Sequence, residues 1–221
     1  MNNSRKIIYL LNILALFLFI SACGNLTSSN EDITGSLDPV ENVIPITGAE
    51  NSTLTVNLQS SAYFQLEFQD IQNNENISNG FVGEGWCIDW QVPIDSNNTS
   101  YSDVPLYSTF NVESWKSLNY LLNIKDDLFD ADPELTYREI QLVVWTLRGY
   151  PEFNLNEIAV SNLPSRMLEN GEPIFSYEKV NTILQIVEEG YENFEPAEGT
   201  KYAVIAETPS DVQTVITVVE K

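Results

Sequence analysis

Histidine is absent from all 221 residues. That absence removes Ser-His-Asp and Cys-His hydrolases, histidine metal sites and imidazole acid–base chemistry together, since each depends on a ring that exchanges a proton or donates a lone pair near neutral pH. Cysteine is nearly as scarce, with Cys23 and Cys87 alone, so zinc sites built from several thiolates are excluded too. Basic residues are few: 10 Lys and Arg stand against 32 Asp and Glu, a net charge of −22. A surface of that sign repels phosphate backbones, which excludes nucleic acid as a partner, while it favours solubility and attracts basic patches on proteins. No internal repeat, heptad or proline-rich stalk is present.

Residues 7–20 are apolar apart from Tyr9 and Asn12, follow Arg5 and Lys6, and run into Ile20-Ser21-Ala22-Cys23. A positive start, an apolar stretch and small residues before a cut are the marks of an export signal. The run is short of the roughly 20 residues that a bilayer span needs. Residues 1–22 therefore read as a bacterial lipoprotein signal peptide, and cleavage would leave Cys23 as a diacylated N-terminus. Two or three acyl chains anchor a protein stably where one does not. The expected location is extracytoplasmic, at the cell surface and held to the cell membrane or outer membrane through Cys23; Gly24 suits either envelope. Removing residues 1–22 takes away Arg5 and Lys6 and no acid, leaving eight basic against 32 acidic residues and a net charge of −24. It also leaves Cys87 without a disulfide partner. A lone exported thiol is either reactive or a small buried hydrophobe.

Residues 23–50, rich in Asn, Ser, Thr, Asp, Glu and Gly, read as a flexible tether, with a first strand over 43–47 as the alternative. Residues 51–221 are enough for one domain. β-Forming runs fall at 53–58 and 63–68, at 80–92 as a strand pair interrupted by Gly83 and Gly85, and again at 201–207 and 212–219 as a closing hairpin around Thr208-Pro209-Ser210-Asp211. Between them, Trp115, Leu118, Leu121 and Leu122 repeat at three and four over 112–123, a helical spacing. Thr136 and Glu139 form a capping box for a helix over 137–148 that ends at Gly149, and Ser176 caps a third over 177–189 before Gly190. An α+β fold follows: a β-sandwich or barrel with an inserted helical section of about three helices. Asp126, Asp127, Asp130, Asp132 and Glu134 read as a solvated loop before Thr136; they have neither the spacing nor the glycine of an EF-hand, so no metal is expected. No pair among the 32 acids is singled out for glycoside hydrolysis.

Two short segments carry chemistry. Cys87 sits in Gly85-Trp86-Cys87-Ile88-Asp89-Trp90, where Trp86 and Trp90 can form a water-poor wall. Gln141 sits in Ile140-Gln141-Leu142-Val143-Val144-Trp145, and over 140–147 only Gln141 and Thr146 are polar. A helix apolar nearly all round is buried. A buried carboxamide without a partner costs about 1–3 kcal/mol, so Gln141 needs one, either a backbone group across the core or a group of chemical consequence.

An aromatic-Cys-aliphatic tripeptide followed by an aliphatic-Gln-x-x-aliphatic-Trp helix resembles the bacterial thioester domains at the tips of surface adhesins. The resemblance implies that the Cys87 sulfur is joined to the Gln141 side-chain carbonyl with loss of ammonia and without any cofactor, that Trp145 packs beside the bond, and that a partner lysine is captured covalently. Asp89, nearest in sequence, is a candidate for docking that lysine. Trp86 stands where Tyr, Phe or Leu is usual in the family, and the family's sorting motif and stalk give way here to the lipid at Cys23. The implied protein is a monomeric covalent binder and not a turnover enzyme. The alternative is a surface lipoprotein that binds protein or glycan noncovalently around an inert Cys87; a small carboxylate hydrolase would need activity that survives Cys87→Ser.

Overall fold

The computed structural model describes residues 38–221; the expected signal peptide and Cys23 lie outside them. Ten strands are present among these residues: β1 (Ile44–Pro45), β2 (Ser52–Leu58), β3 (Phe64–Gln69), β4 (Phe81–Cys87), β5 (Asn97–Val104), β6 (Leu106–Ser108), β7 (Leu168–Glu169), β8 (Glu172–Pro173), β9 (Lys201–Ala206) and β10 (Val215–Glu220). Between β6 and β9 run α1 (Lys116–Ala131), α2 (Tyr137–Arg148) and α3 (Tyr177–Gly190). Eight strands form one antiparallel sheet in the order β1-β6-β9-β10-β4-β3-β2-β5, and β7 with β8 make a separate small hairpin. The fold is α+β.

The sheet is strongly curled. β6 is second in that order and β5 eighth, yet only Pro105 separates them in sequence. At ~4.8 Å per strand a flat sheet would hold them roughly 30 Å apart, and one residue spans less than about 4 Å. The sheet therefore curls strongly enough to bring the end of β5 beside β6, while β1 and β5 remain its end strands in the hydrogen-bonded order. Period-two burial drives the curl: Leu54 and Val56 of β2 face Phe68 and Leu66 of β3 across the ladder, and all four are fully buried. Gly85 of β4 lies opposite Phe64, and a Cβ there would overlap the Leu66 side chain.

Capping behaves as the residue types require. The Thr136 hydroxyl accepts from the Arg138 N–H at 3.2 Å, while Glu139 accepts from the Thr136 N–H at 3.0 Å and from the Ser176 N–H at 2.9 Å. One buried carboxylate thus ties the first turn of α2 to the cap of α3, where Ser176 accepts from the Lys179 N–H at 3.3 Å. α1 docks on β9 through carboxamides: Asn123 accepts from the Lys201 N–H at 2.9 Å and donates to the Lys201 carbonyl at 2.7 Å, and Asn119 accepts from the Ala203 N–H at 3.0 Å.

Three expectations need correction. Residues 43–50 belong to the folded body and not to a tether: β1 pairs with β6, the Ile46 N–H donates to the Leu106 carbonyl at 3.0 Å, and Ile46 and Ala49 are buried. The strand alternative over 43–47 describes them, because one short apolar cluster suffices when a neighbour supplies the ladder. The expected strand pair over 80–92 is a single strand that ends at Cys87, and the polar edge strand β5 with its continuation β6 takes its place in the sheet. The first helix runs on past 123 to Ala131, so Asp126, Asp127 and Asp130 are helical and not in a loop. Lys201 and Lys125 hold Asp126 by ion pairs, which offsets the poor fit of acids at a helix C-terminus.

Candidate functional site

Cys87 is the last residue of β4 and pairs with Val215 of β10. β3 stops short of it, its register ending at the pair Phe64 with Gly85. No strand takes the remaining backbone groups of Cys87; a side chain does. Gln141, in the second turn of α2, accepts from the Cys87 N–H through Oε1 at 2.9 Å and donates through Nε2 to the Cys87 carbonyl at 2.7 Å. Both residues are fully buried. The chain turns directly after the sulfur because the Asp89 carboxylate accepts from the Gln91 and Val92 N–H groups at 3.1 and 3.2 Å, an Asx turn that ends the strand. The Cys87 thiol donates to the Asp89 carbonyl.

Burial pushes the Cys87 thiol well above its ordinary range, and the Asp89 charge adds to this. Three influences act in the opposite sense: the Trp145 indole N–H, the hydrogen bond with the Asp89 backbone and the Arg166 guanidinium. The indole N–H has no partner with good hydrogen-bond geometry, yet it lies close enough to the sulfur to favour a thiolate. The resting group is a neutral thiol beside a neutral carboxamide in a dry site. The Cys87 N–H already polarises the Gln141 carbonyl, so negative charge growing on Oε1 during attack at that carbon meets a donor in place.

The aromatic wall differs from the expected one. Strand alternation sends Trp86 to the face opposite Cys87, where it is fully buried opposite Ile216, so it does not line the site with the sulfur. Trp145 lies on the sulfur's side, edge-on to Tyr63 at 5.6 Å and tilted on Phe153 at 5.5 Å. Trp90, half-buried, packs edge-on to Phe153 at 5.3 Å and donates its indole N–H to the Pro151 carbonyl at 2.8 Å. The wall is thus Tyr63, Trp145, Phe153 and Trp90. Asp89 keeps its carboxylate on its own turn, which leaves it a field on the sulfur more than a docking group. Tyr63, Phe153 and Arg166 had no signal in local spacing; each comes from a different segment and only packing gathers them. Among the described residues no cluster of three or more His, Cys, Asp or Glu side chains is placed to hold a metal ion, and no helix is long and apolar enough to cross a membrane.

No protein-family model matches the chain, and no curated protein matches it. Its neighbours among solved structures are thioester domains. The N-terminal thioester domain of fibronectin-binding protein SfbI from Streptococcus pyogenes aligns over 77% of this chain and 93% of its own, at 12% identity and a TM-score of 0.39. The N-terminal thioester domain of a surface protein from Clostridium perfringens aligns over 76% and 97%, at 11% identity and a TM-score of 0.38.

Proposed function

We propose that this protein is a lipid-anchored surface adhesin whose Cys87 and Gln141 join in an internal thioester that captures a lysine amine of a partner protein. One observation carries the reading: the carboxamide of Gln141 is held on the backbone of Cys87 itself, inside a buried aromatic wall. Sulfur attack on the Gln141 carbonyl carbon breaks its bond to nitrogen; the thiol proton leaves with that nitrogen as ammonia. A neutral amine then displaces the sulfur, giving a substituted amide at Gln141 and a thiol at Cys87. Thioesters accept amines readily and hydrolyse slowly where water is excluded, so burial preserves the bond until a partner engages. An ordinary lysine, with a pKa near ~10.4, is mostly charged at neutral pH, and capture therefore depends on a bound pose that raises effective molarity. The protein acts once per bond and needs no cofactor.

Intact mass of the purified protein tests this. A deficit of one ammonia is expected in the wild type, absent in Cys87→Ala and in Gln141→Ala, with one methylamine added on incubation with that amine. Full native alkylation of Cys87 in the wild type would defeat it. A second reading, noncovalent recognition around an inert Cys87, draws on the pairing of Asn123 with both backbone groups of Lys201, which shows the same bonding without a sulfur. That reading requires no ammonia deficit and no methylamine adduct.

A further inference from the structure

The cover over the buried sulfur is uneven. On the side of α2 every residue from Glu139 to Arg148 is buried, and on the side of β10 so are Val215, Ile216 and Thr217. Past the end of β4 the protein is thin. The Cys87 thiol donates to the Asp89 carbonyl; Asp89 itself is half-buried and bridges Tyr150, which is 48% exposed. Two strips, 88–91 and 149–153, meet here in a seam. The Tyr150 N–H donates to the Ile88 carbonyl at 2.8 Å, and the Trp90 indole N–H to the Pro151 carbonyl at 2.8 Å. Tyr150, Pro151 and Glu152 are exposed, while Phe153 turns inward and is 2% exposed.

Three rings line up inside the seam. Trp145 lies four residues after Gln141, on the same face of α2, and therefore beside the carboxamide that sits on the Cys87 backbone. The Phe153 ring stands 5.5 Å from Trp145 and 5.3 Å from Trp90, so it links the buried ring beside the bond to the half-buried one at the surface. The absence of a side chain at Gly149 lets the strip turn this closely, since a Cβ there would lie 2.9 Å from that of Phe153. An amine bound for the Gln141 carbonyl carbon has to cross this cover. A passage through α2 or β10 would break a helix or a strand ladder. Parting the seam breaks two hydrogen bonds and uncovers one ring, and such lightly held segments open locally at small cost.

We propose that the seam between Trp90 and Phe153 is the entry to the sulfur and that Phe153 is the specificity-determining residue that selects which amines pass. What enters rests on the thioester reading; the door itself does not. Wedged between two tryptophans, the Phe153 ring fixes the width that opens. The lining is aromatic and apolar, so a passing group has to be neutral and to shed its water. A primary amine on an unbranched alkyl stem, the form of a lysine side chain, meets both demands. Its carbons slide between the rings, its uncharged nitrogen leads to the carbonyl carbon, and the proton of its ammonium form stays in the solvent outside. A stem that widens one carbon behind the nitrogen is stopped at Phe153. The same rings keep water from the bond until a stem parts them.

Intact mass of the purified protein reads the door with two amines of similar reactivity at nitrogen, n-butylamine and cyclohexylmethylamine. The wild type should add butylamine roughly tenfold or more faster, the discrimination that a close-fitting apolar site gives for a few carbons. Phe153→Ala should keep the ammonia deficit and bring the two rates within about twofold of each other, chiefly by speeding the wider amine. Methylamine-treated protein gives a second measure, because its Cys87 thiol is free whether or not a thioester came before. Iodoacetamide should alkylate that thiol several-fold faster in Phe153→Ala than in the wild type, and Trp90→Phe, which keeps a ring and loses the bond to Pro151, should fall between. Asn123→Ala, altered where α1 meets β9, should match the wild type in amine selectivity and in alkylation; a gain equal to that of Phe153→Ala would mean global opening and overturn the proposal. So would equal rates for the two amines in the wild type, or wild-type selectivity in Phe153→Ala. If Phe153→Ala does not fold, Phe153→Leu decides by the same signs. A wild type with no ammonia deficit sinks the thioester reading, and the alkylation comparison then still judges the door.

Discussion

Gln141 has two separable jobs, and single substitutions divide them. Cys87→Ala removes the sulfur but keeps both backbone bonds to the carboxamide; Gln141→Ala removes the carboxamide and strands the Cys87 N–H and carbonyl in the core. Each stranded buried group costs about 1–3 kcal/mol, whereas loss of one buried sulfur costs on the order of 1 kcal/mol. Neither variant can hold a thioester, so the difference between them reads the hydrogen bonds alone. In urea unfolding, Gln141→Ala should be less stable than Cys87→Ala by roughly 1–4 kcal/mol; equal stabilities would mean that the carboxamide bonds add nothing. The sequence made this residue conspicuous, since a lone amide in an apolar helix must find a partner. It could not name the partner, because the two residues lie 54 positions apart and nothing local measures that approach.

Helices α1 and α2 meet the sheet in the same way, each setting a carboxamide against both backbone groups of one strand residue: Asn123 on Lys201, Gln141 on Cys87. The chemical difference is the side chain across from the amide. Asn123→Ala therefore serves as a matched control. It should lower stability by a similar amount, about 1–4 kcal/mol in urea unfolding, while leaving the ammonia deficit intact; loss of the deficit would point to general loosening and not to the sulfur. The elements themselves were readable where their signals are local. The Thr136 box and the stop at Gly149 set α2, and the Ser176 cap sets the start of α3, which takes in Gly190 and runs into a further helical turn over Tyr191–Asn193. The end of α1 was not readable, since acids near a helix C-terminus argue for a loop until Lys125 and Lys201 are found beside Asp126. Neither was β5, whose polar sequence has one side on β2 and the other free.

Across the whole molecule the dominant quantity is charge. An excess of acids as large as this one attracts a lysine-rich partner over several ångströms and does so less in salt, because the screening length is ~8 Å at physiological ionic strength. Association with polylysine, followed by light scattering, should slow by roughly tenfold between low and physiological salt, while methylamine addition, limited by entry and chemistry at the buried pair, should change less than about twofold. Comparable slowing of both would place the salt effect at the site and not at the surface.

From residues alone came the properties that short-range physics decides: the excluded chemistries, the caps and periodicities of most elements, and two residue types able to form an acyl bond. What required the fold was every contact between distant segments. The curling of the sheet that lets Pro105 join β5 to β6, the recruitment of residues 43–50, the placing of Gln141 on the Cys87 backbone, the exclusion of Trp86 from the sulfur's face, and the gathering of Tyr63, Phe153 and Arg166 all follow from which surfaces pack together. Periodicity tells a side chain which face of its own element it occupies; only the packing of elements tells it what it meets there.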